Sequence, residues 1–300
     1  MHFIGSVTNK NQRFHFDACC SGLINAAGDR GFNLFCDSQG PETKFLSHSA
    51  NNISVTLFGT LIERDGYMPH DPKSFLKAII ERYLSEGIKC FSALDGSYVI
   101  VLWDGNRETI YISRDIYGTR LLYFYFSPRR GFAFSNNLDI LLRATGQRNI
   151  SHKALHEYLR FLDISPPYTI YENTYFLEPD KILISDGKQI TQQKISTQTI
   201  NEIQTDELLE DKAHNFKNIL SQSIEKRIGG ARRVGVFLSG GIDSTLICAI
   251  AARIKKDIKA YTVGFGDPRY DESKIARNIT SHLGIEHQVF EFTIEEDYNV

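Results

Sequence analysis

"VGVFLSGGIDSTLICAI" occupies Val234–Ile250. The aliphatic run reads as a buried strand, and residues 244–254 read as a helix. Between them lie Ser239, Gly240 and Gly241, a turn almost without side chains. An open parallel sheet binds ligands outside the carboxyl ends of its strands, and this turn sits at such an end. Gly240 and Gly241 let an anion approach the backbone. The first N–H groups of the following helix lack intrahelical partners, and the helix dipole favours negative charge there. Ser239, Ser244 and Thr245 add hydroxyl donors. The pattern predicts a phosphate cradle.

The cradle is not a Walker loop, which needs G-x-x-x-x-G-K-[ST]; no Lys occupies the required place. It carries Asp243 instead. A carboxylate beside phosphates calls for an intervening cation, so Asp243 implies Mg²⁺. Downstream, "IKAYTVGF" (258–265) and "HQVFEF" (287–292) read as strands separated by a helix over 273–283. Strands alternating with helices of that size predict a parallel, doubly wound α/β domain. Asp271, Glu272 and Ser273 precede the 273–283 helix, either as its acidic cap or as groups near the phosphates or metal.

Working back toward the N-terminus, "LLEDKAHNFKNILSQSIEKRI" (208–228) is an amphipathic helix with Leu209, Phe216, Ile219, Leu220, Ile224 and Ile228 expected inward. Before it, residues 192–207 are polar and read as a linker. The first half is β-rich: "ISVTLF" (53–58), "SYVIVLW" (97–103), "TIYIS" (109–113) and "LLYFYF" (121–126). Asp104-Gly105-Asn106 and residues 127–131 supply turn chemistry, which predicts antiparallel hairpins. Two helices interrupt the strands, at 72–87 and 151–162. In the first, Phe75, Leu76, Ile79, Ile80, Tyr83 and Leu84 share a side. In the second, Leu155, Tyr158, Leu159 and Leu162 do, and Pro166-Pro167 is expected to end it. Trp103 is expected in the core. The fold class is an α+β domain over 1–195, with antiparallel sheets and helices, followed by the start of a doubly wound α/β domain over 206–300.

The chain has 300 residues and a formal net charge of -2, without a basic field for nucleic acid. Its five cysteines are at 19, 20, 36, 90 and 248, with no C-x-x-C pair, so neither a disulfide framework nor a zinc site is indicated. The N-terminus lacks secretory character, and no apolar run reaches the ~20 residues of a membrane span. These features predict a cytoplasmic protein without nucleic-acid or membrane partners.

"SGGIDS" resembles the pyrophosphate loop of the ATP pyrophosphatases, which split ATP between the α and β phosphates. Residues 258–290, with T-V-G-F, Y-D-E-S and H-L-G-x-E-H, resemble the asparagine synthetase family. Residues 91–104, 112–126 and 132–142 resemble the glutaminase-like domain of that family, which implies an Ntn-hydrolase-like first domain and an ATP-pyrophosphatase second domain. The resemblance implies that Ser239, Gly240, Gly241 and Ser244 cradle pyrophosphate, with Ser239 and Asp243 as catalytic groups and Asp243 as the Mg²⁺ ligand. It implies that Leu238, Val263, Gly264 and Phe265 contact the adenine of ATP, with Glu272 near the phosphates. Arg114-Asp115 also matches the family and reads as a structural ion pair or turn. His282 and His287 read as packing or surface residues.

Glutamine-dependent members carry Cys directly after Met; this chain begins Met1-His2-Phe3. His cannot replace a thiolate nucleophile supported by its own amino group, and Cys19 and Cys20 lack a free amine. The family's N-G-E segment stands here as Phe58-Gly59-Thr60. The glutaminase is therefore expected to be inactive. That pattern resembles the branch making cyclic amides: β-lactam, carbapenam and lasso-peptide macrolactam synthetases. It implies a ligase that adenylates a carboxylate on a peptide or amino-acid-derived substrate, with a precursor peptide or partner protein involved. The alternatives are an asparagine synthetase-like enzyme using ammonia and a non-catalytic nucleotide- or partner-binding relative. The resemblance also implies a second metal-binding acid in a G-x-D-E-like segment, absent from these 300 residues. The second domain is thus expected to be incomplete, and residues 1–300 alone are not expected to be competent.

Overall fold

The computed structural model describes residues 2–7, 23–29, 32–37, 45–62, 72–195, 208–267 and 269–292. The chain forms two compact units, Met1–Ile200 and Asn201–Val300. In chain order the first unit contains β1 (Phe3–Val7), β2 (Leu23–Asp29), β3 (Phe32–Asp37), β4 (Phe45–Ala50), β5 (Ile53–Ile62) and α1 (Pro72–Glu86). After a 3₁₀ segment (Gly87–Ala93) come β6 (Asp95–Asp104), β7 (Thr109–Arg114), β8 (Tyr123–Ser127), β9 (Gly131–Ser135), α2 (Leu138–Thr145) and α3 (His152–Phe161). The unit closes with β10 (Thr174–Phe176), β11 (Lys181–Ser185) and β12 (Ile190–Lys194).

Two six-stranded antiparallel sheets result, ordered β10-β8-β9-β1-β3-β2 and β12-β11-β7-β6-β5-β4. The alternation along β6 shows why its sequence is unbroken by polar residues from Val99 to Trp103. Val99, Val101 and Trp103 pack into the core between the sheets. Tyr98, Ile100 and Leu102 face the other way, against Leu76, Ile79 and Ile80 of α1. A strand buried on both faces loses its polar half. On the other sheet, Phe132 and Phe134 point into the same central core, while Ala133 packs with Leu141 of α2. The layers are helix, sheet, sheet, helix. Trp103 is buried and stacks on Phe32 at 5.3 Å. Asp104 shapes the expected β6–β7 turn, accepting from the N–H groups of Asn106 (3.0 Å) and Arg107 (3.2 Å) and from Tyr83 Oη (2.8 Å).

The second unit contains α4 (Leu209–Ile228), β13 (Val234–Phe237), α5 (Ile242–Ile254), β14 (Ile258–Phe265), α6 (Ser273–Leu283) and β15 (Glu286–Phe292). The strands pair in parallel in the order β13-β14-β15. Consecutive neighbours joined by right-handed crossovers place both crossover helices on one face. Val236, Ile258 and Ala260 pack there with Cys248 and Ile250 of α5, Ala276 of α6 and Ile224 of α4. Large side chains on the opposite side, including Phe237, Val263, Phe265, Phe290 and Phe292, are exposed.

Several local expectations change. The helix after the glycine turn starts at Ile242 rather than Ser244. Only the C-terminal half of α4 packs inward: Leu209, Phe216 and Ile219 are exposed, while Ile224 is buried. In α3 only Ala154 is buried, and Tyr158, Leu159 and Leu162 are exposed. Leu84 of α1 is likewise exposed. Periodicity defines an apolar side of a helix but not an element that covers it. The α3 helix stops at Leu162, whose φ is 56°, before the prolines. The polar stretch read as a linker begins inside β12, an edge strand whose exposed residues need no apolar character; residues 196–207 lie outside those described. None of the helices among the described residues is long and apolar enough to cross a membrane.

Arg114 and Asp115 form a turn rather than an ion pair. The Arg114 side chain is buried and donates to the carbonyls of Leu177 (2.9 Å) and Gly118 (2.6 Å), with its guanidinium 4.5 Å from the Phe176 ring centre. Asp115 accepts from the Thr119 N–H (3.0 Å) and hydroxyl (2.8 Å). Burial lowers the Arg114 pKa, and the carboxylate of Asp115 acts against that shift. Gly118 has φ +62°, and a Cβ there would collide with the Arg114 guanidinium. Gly118→Ala should therefore lower the thermal midpoint of the chain, with a cost above about 1 kcal/mol from the incompatible backbone; an unchanged midpoint would contradict this packing.

Candidate functional site

The β13–α5 turn is built from backbone outward. Leu238 continues the strand pairing, its N–H donating to Tyr261 O at 2.8 Å. The carbonyl of Leu238 accepts from Thr262 Oγ1 at 2.6 Å. Gly240 then takes φ +91°, against Ile275 of α6. Gly241 stands at the N-cap of α5, with no side-chain cap bond. In this arrangement the serines satisfy one another. Ser239 Oγ lies 3.0 Å from Ser244 Oγ, the Ser239 N–H donates to Ser244 Oγ (3.3 Å), and the Gly241 N–H donates to Ser239 Oγ (3.2 Å). The hydroxyls can rotate toward an anion at the mouth of the helix. Moving Ser239 Oγ and Ser244 Oγ aside opens the Ser239 and Gly241 N–H groups to that anion without changing the direction of either N–H. Thr245 does not join them: its hydroxyl is buried and has no hydrogen-bond partner.

Beside the turn lies a cleft of about 350 Å³, lined by Phe237, Leu238, Ser239, Ser244, Tyr261, Thr262, Val263, Phe265, Tyr270 and Glu272. Six of the expected site residues therefore meet here: Leu238, Ser239, Ser244, Val263, Phe265 and Glu272. Gly240 and Gly241 shape the turn without lining the cleft. Gly264 lies off the cleft as well; a Cβ on it would meet Val289 at 3.2 Å and Asp271 Oδ1 at 3.5 Å. Asp243 is exposed in the first turn of α5, on the helix that carries Ser244.

The acids before α6 differ in their contacts. Asp271 accepts from the Ser273 N–H (3.1 Å), the Ser273 hydroxyl (2.9 Å) and the Phe265 N–H (3.4 Å). These bonds hold its carboxyl below the usual range, those from Ser273 first. It therefore fastens the start of α6 to the end of β14. Glu272 makes no cap bond and faces the cleft. Among the described residues no three His, Cys, Asp or Glu side chains group around a metal position. A single exposed acid fits Mg²⁺ held mainly by phosphate oxygens and water, which is how that ion is usually carried.

Thr262 and His287 were not foreseen in the site. Thr262 sits inside the T-V-G-F run, where the neighbouring residues drew attention. His287 lies one strand over, its Nε2 2.8 Å from Thr262 Oγ1. No linear spacing signals that contact, which depends on the register of β14 with β15. His282 lies exposed on α6.

In the first unit, the first position of the segment expected to correspond to the glutamine pocket carries a buried apolar ring. The Phe58 ring stacks on Phe3 at 3.9 Å between ring centres, and both are buried. Thr60 is exposed, as is His2, whose Nδ1 lies 3.4 Å from Asn137 Nδ2. Cys19 and Cys20 lie outside the described residues.

Residues 71–196 match the family model for a glutamine amidotransferase domain, and residues 215–300 match that for asparagine synthase. The glutamine-hydrolyzing asparagine synthetase 1 of Bacillus subtilis is 26% identical over 228 residues, covering 75% of this chain and 35% of that protein. The asparagine synthetase of Gallus gallus is 25% identical over 231 residues, covering 73% and 39%. That of Homo sapiens is 25% identical over 237 residues, again covering 73% and 39%. The matched part of the chain thus spans well under half the length of these relatives.

The turn geometry makes its own demand. At Gly240 a Cβ would stand 3.1 Å from Ile275 Cγ2 and 3.2 Å from its Cβ, on a backbone with positive φ. Gly240→Ala should destabilise the second unit by more than about 1 kcal/mol and weaken binding of inorganic pyrophosphate. Thermal unfolding and titration calorimetry on the full chain check both, and wild-type affinity in the variant would contradict the role given to this turn.

Proposed function

We propose that this chain, a glutamine amidotransferase-type domain followed by a domain of the asparagine synthase family, acts as an ATP-dependent amide-forming ligase. The observation that carries the reading is the β13–α5 turn. Its serine hydroxyls and backbone N–H groups converge at a helix N-terminus beside a cleft with an aromatic and aliphatic wall. A pyrophosphate fits the polar end by charge and hydrogen bonding, and an adenine fits the apolar end.

In the reaction, a substrate carboxylate oxygen attacks the α-phosphorus of ATP. The bond between that phosphorus and the oxygen bridging to the β-phosphate breaks, and pyrophosphate leaves. An amine then attacks the acyl carbon, AMP departs with the former carboxylate oxygen, and the amine gives up a proton. Ser239, Ser244 and the N–H groups of the turn stabilise charge on the leaving pyrophosphate. Leu238, Val263 and Phe265 seat the nucleotide, so that the reacting atoms are held together. Asp243 would hold Mg²⁺, which neutralises charge on the phosphates, and Glu272 stands at the same cleft.

We further infer that the amine belongs to the substrate itself, making the product a cyclic amide. Phe58 supports this reading. Its ring is part of the core against Phe3, at the position where the glutamine-using pattern carries Asn. A peptide or amino-acid-derived carboxylate with its own amine needs no glutamine. The names of the relatives favour a second reading, asparagine formation from aspartate and ammonium.

Asp243→Ala should weaken Mg²⁺-dependent ATP binding by at least tenfold, about 1.4 kcal/mol. Calorimetry with and without Mg²⁺ measures it, and an Asp243→Ala variant indistinguishable from wild type would refute the metal assignment. Incubation with ATP and glutamine should release no glutamate above background. Incubation with ATP, aspartate and ammonium separates the two readings, since asparagine in the product mixture would sink the cyclase.

A further inference from the structure

Thr262 and His287 occupy positions behind the turn. The Thr262 hydroxyl is buried and donates its one proton to Leu238 O at 2.6 Å. Toward His287 Nε2, 2.8 Å away, it can then only accept. The imidazole must therefore carry a proton on Nε2, giving a directed chain from His287 Nε2–H to Thr262 Oγ1–H to Leu238 O. Burial, with Arg277 adding to it, moves the His287 pKa below its ordinary value, which agrees with a neutral ring.

The end of that chain is a peptide plane with little else to hold it. On its N-terminal side, the Leu238 N–H is bonded to Tyr261 O. On its C-terminal side come Gly240 and Gly241, which resist rotation least. In a trans peptide the C=O and N–H point in opposite directions. Fixing Leu238 O therefore fixes the aim of the Ser239 N–H, which now points to Ser244 Oγ at 3.3 Å. That N–H is among the donors of the cradle.

We propose that His287, acting through Thr262, is a positioning residue that locks the Leu238–Ser239 peptide plane and so aims the Ser239 N–H at the pyrophosphate. The proposal rests on the reading of this turn as a pyrophosphate site. It assigns a role to a histidine on β15 that does not itself line the cleft and reaches it only through Thr262.

The test uses the full chain, with inorganic pyrophosphate and Mg²⁺ as the probe in calorimetry. Thr262→Val keeps the shape and removes the hydroxyl; it should weaken pyrophosphate binding about fivefold, the effect of losing a net hydrogen bond. Thr262→Ser should restore binding to nearly the wild-type value. His287→Leu should weaken it, and His287→Gln, which keeps an N–H donor, should recover most of the loss. Nitrogen-15 spectra of labelled histidine in the wild-type chain provide a readout independent of any variant's stability, and should show a neutral ring protonated on Nε2. A ring protonated on Nδ1 alone overturns the relay. Wild-type affinity in both Thr262→Val and His287→Leu also overturns it, while leaving the cradle standing. A wild-type chain that does not bind pyrophosphate overturns the cradle itself, and the relay with it.

Discussion

Parallel pairing of β13 with β14 is the constraint on which the candidate site depends. It brings the carboxyl ends of two strands to one edge of the sheet, so that the turn after Leu238 and the segment after Phe265 lie side by side. The helix mouth, the apolar wall and Glu272 meet there although they come from stretches of sequence that run from Phe237 to Glu272. The right-handed crossovers place both helices on one face, which allows Ile275 of α6 to press on Gly240. Every donor in the turn inherits its direction from that arrangement.

The first unit follows a different logic, in which both faces of a sheet are buried. The β6 strand contributes to the central core and to the helix-facing core at alternate positions. The Arg114 guanidinium closes the turn at Gly118 and reaches Leu177 beyond it. None of these groups requires a substrate, so the unit can persist as a scaffold whatever becomes of glutamine chemistry.

The legible parts of the sequence were those whose signal is local. The "DGN" turn, the alternation of strand and helix after residue 230 and the glycine turn each carry their cause within a few residues. So does the capping of α6 by Asp271, although sequence left its role open between cap and ligand until the bonds from Ser273 and Phe265 decided it. The start of α5 was misplaced by two residues because Ile242 and Asp243 look like loop residues until their backbone is seen. The exposed sides of α3 and α4 were misread because an apolar stripe records a preference for cover without naming what provides it. The contact between Thr262 and His287 was invisible for a stricter reason: it exists only through inter-strand register, which no spacing along one chain encodes.

The Phe3–Phe58 stack makes the cost of change at position 58 asymmetric. Replacing the ring with an amide would forfeit about 3–5 kcal/mol of core packing, judged from truncations of buried aromatics. It would also bury a polar group with no partner, at about 1–3 kcal/mol more. Such a sum approaches the whole stability of an ordinary domain. The packing thus sets a threshold: a change to an amide at this position meets a loss of stability before any question of glutamine affinity arises.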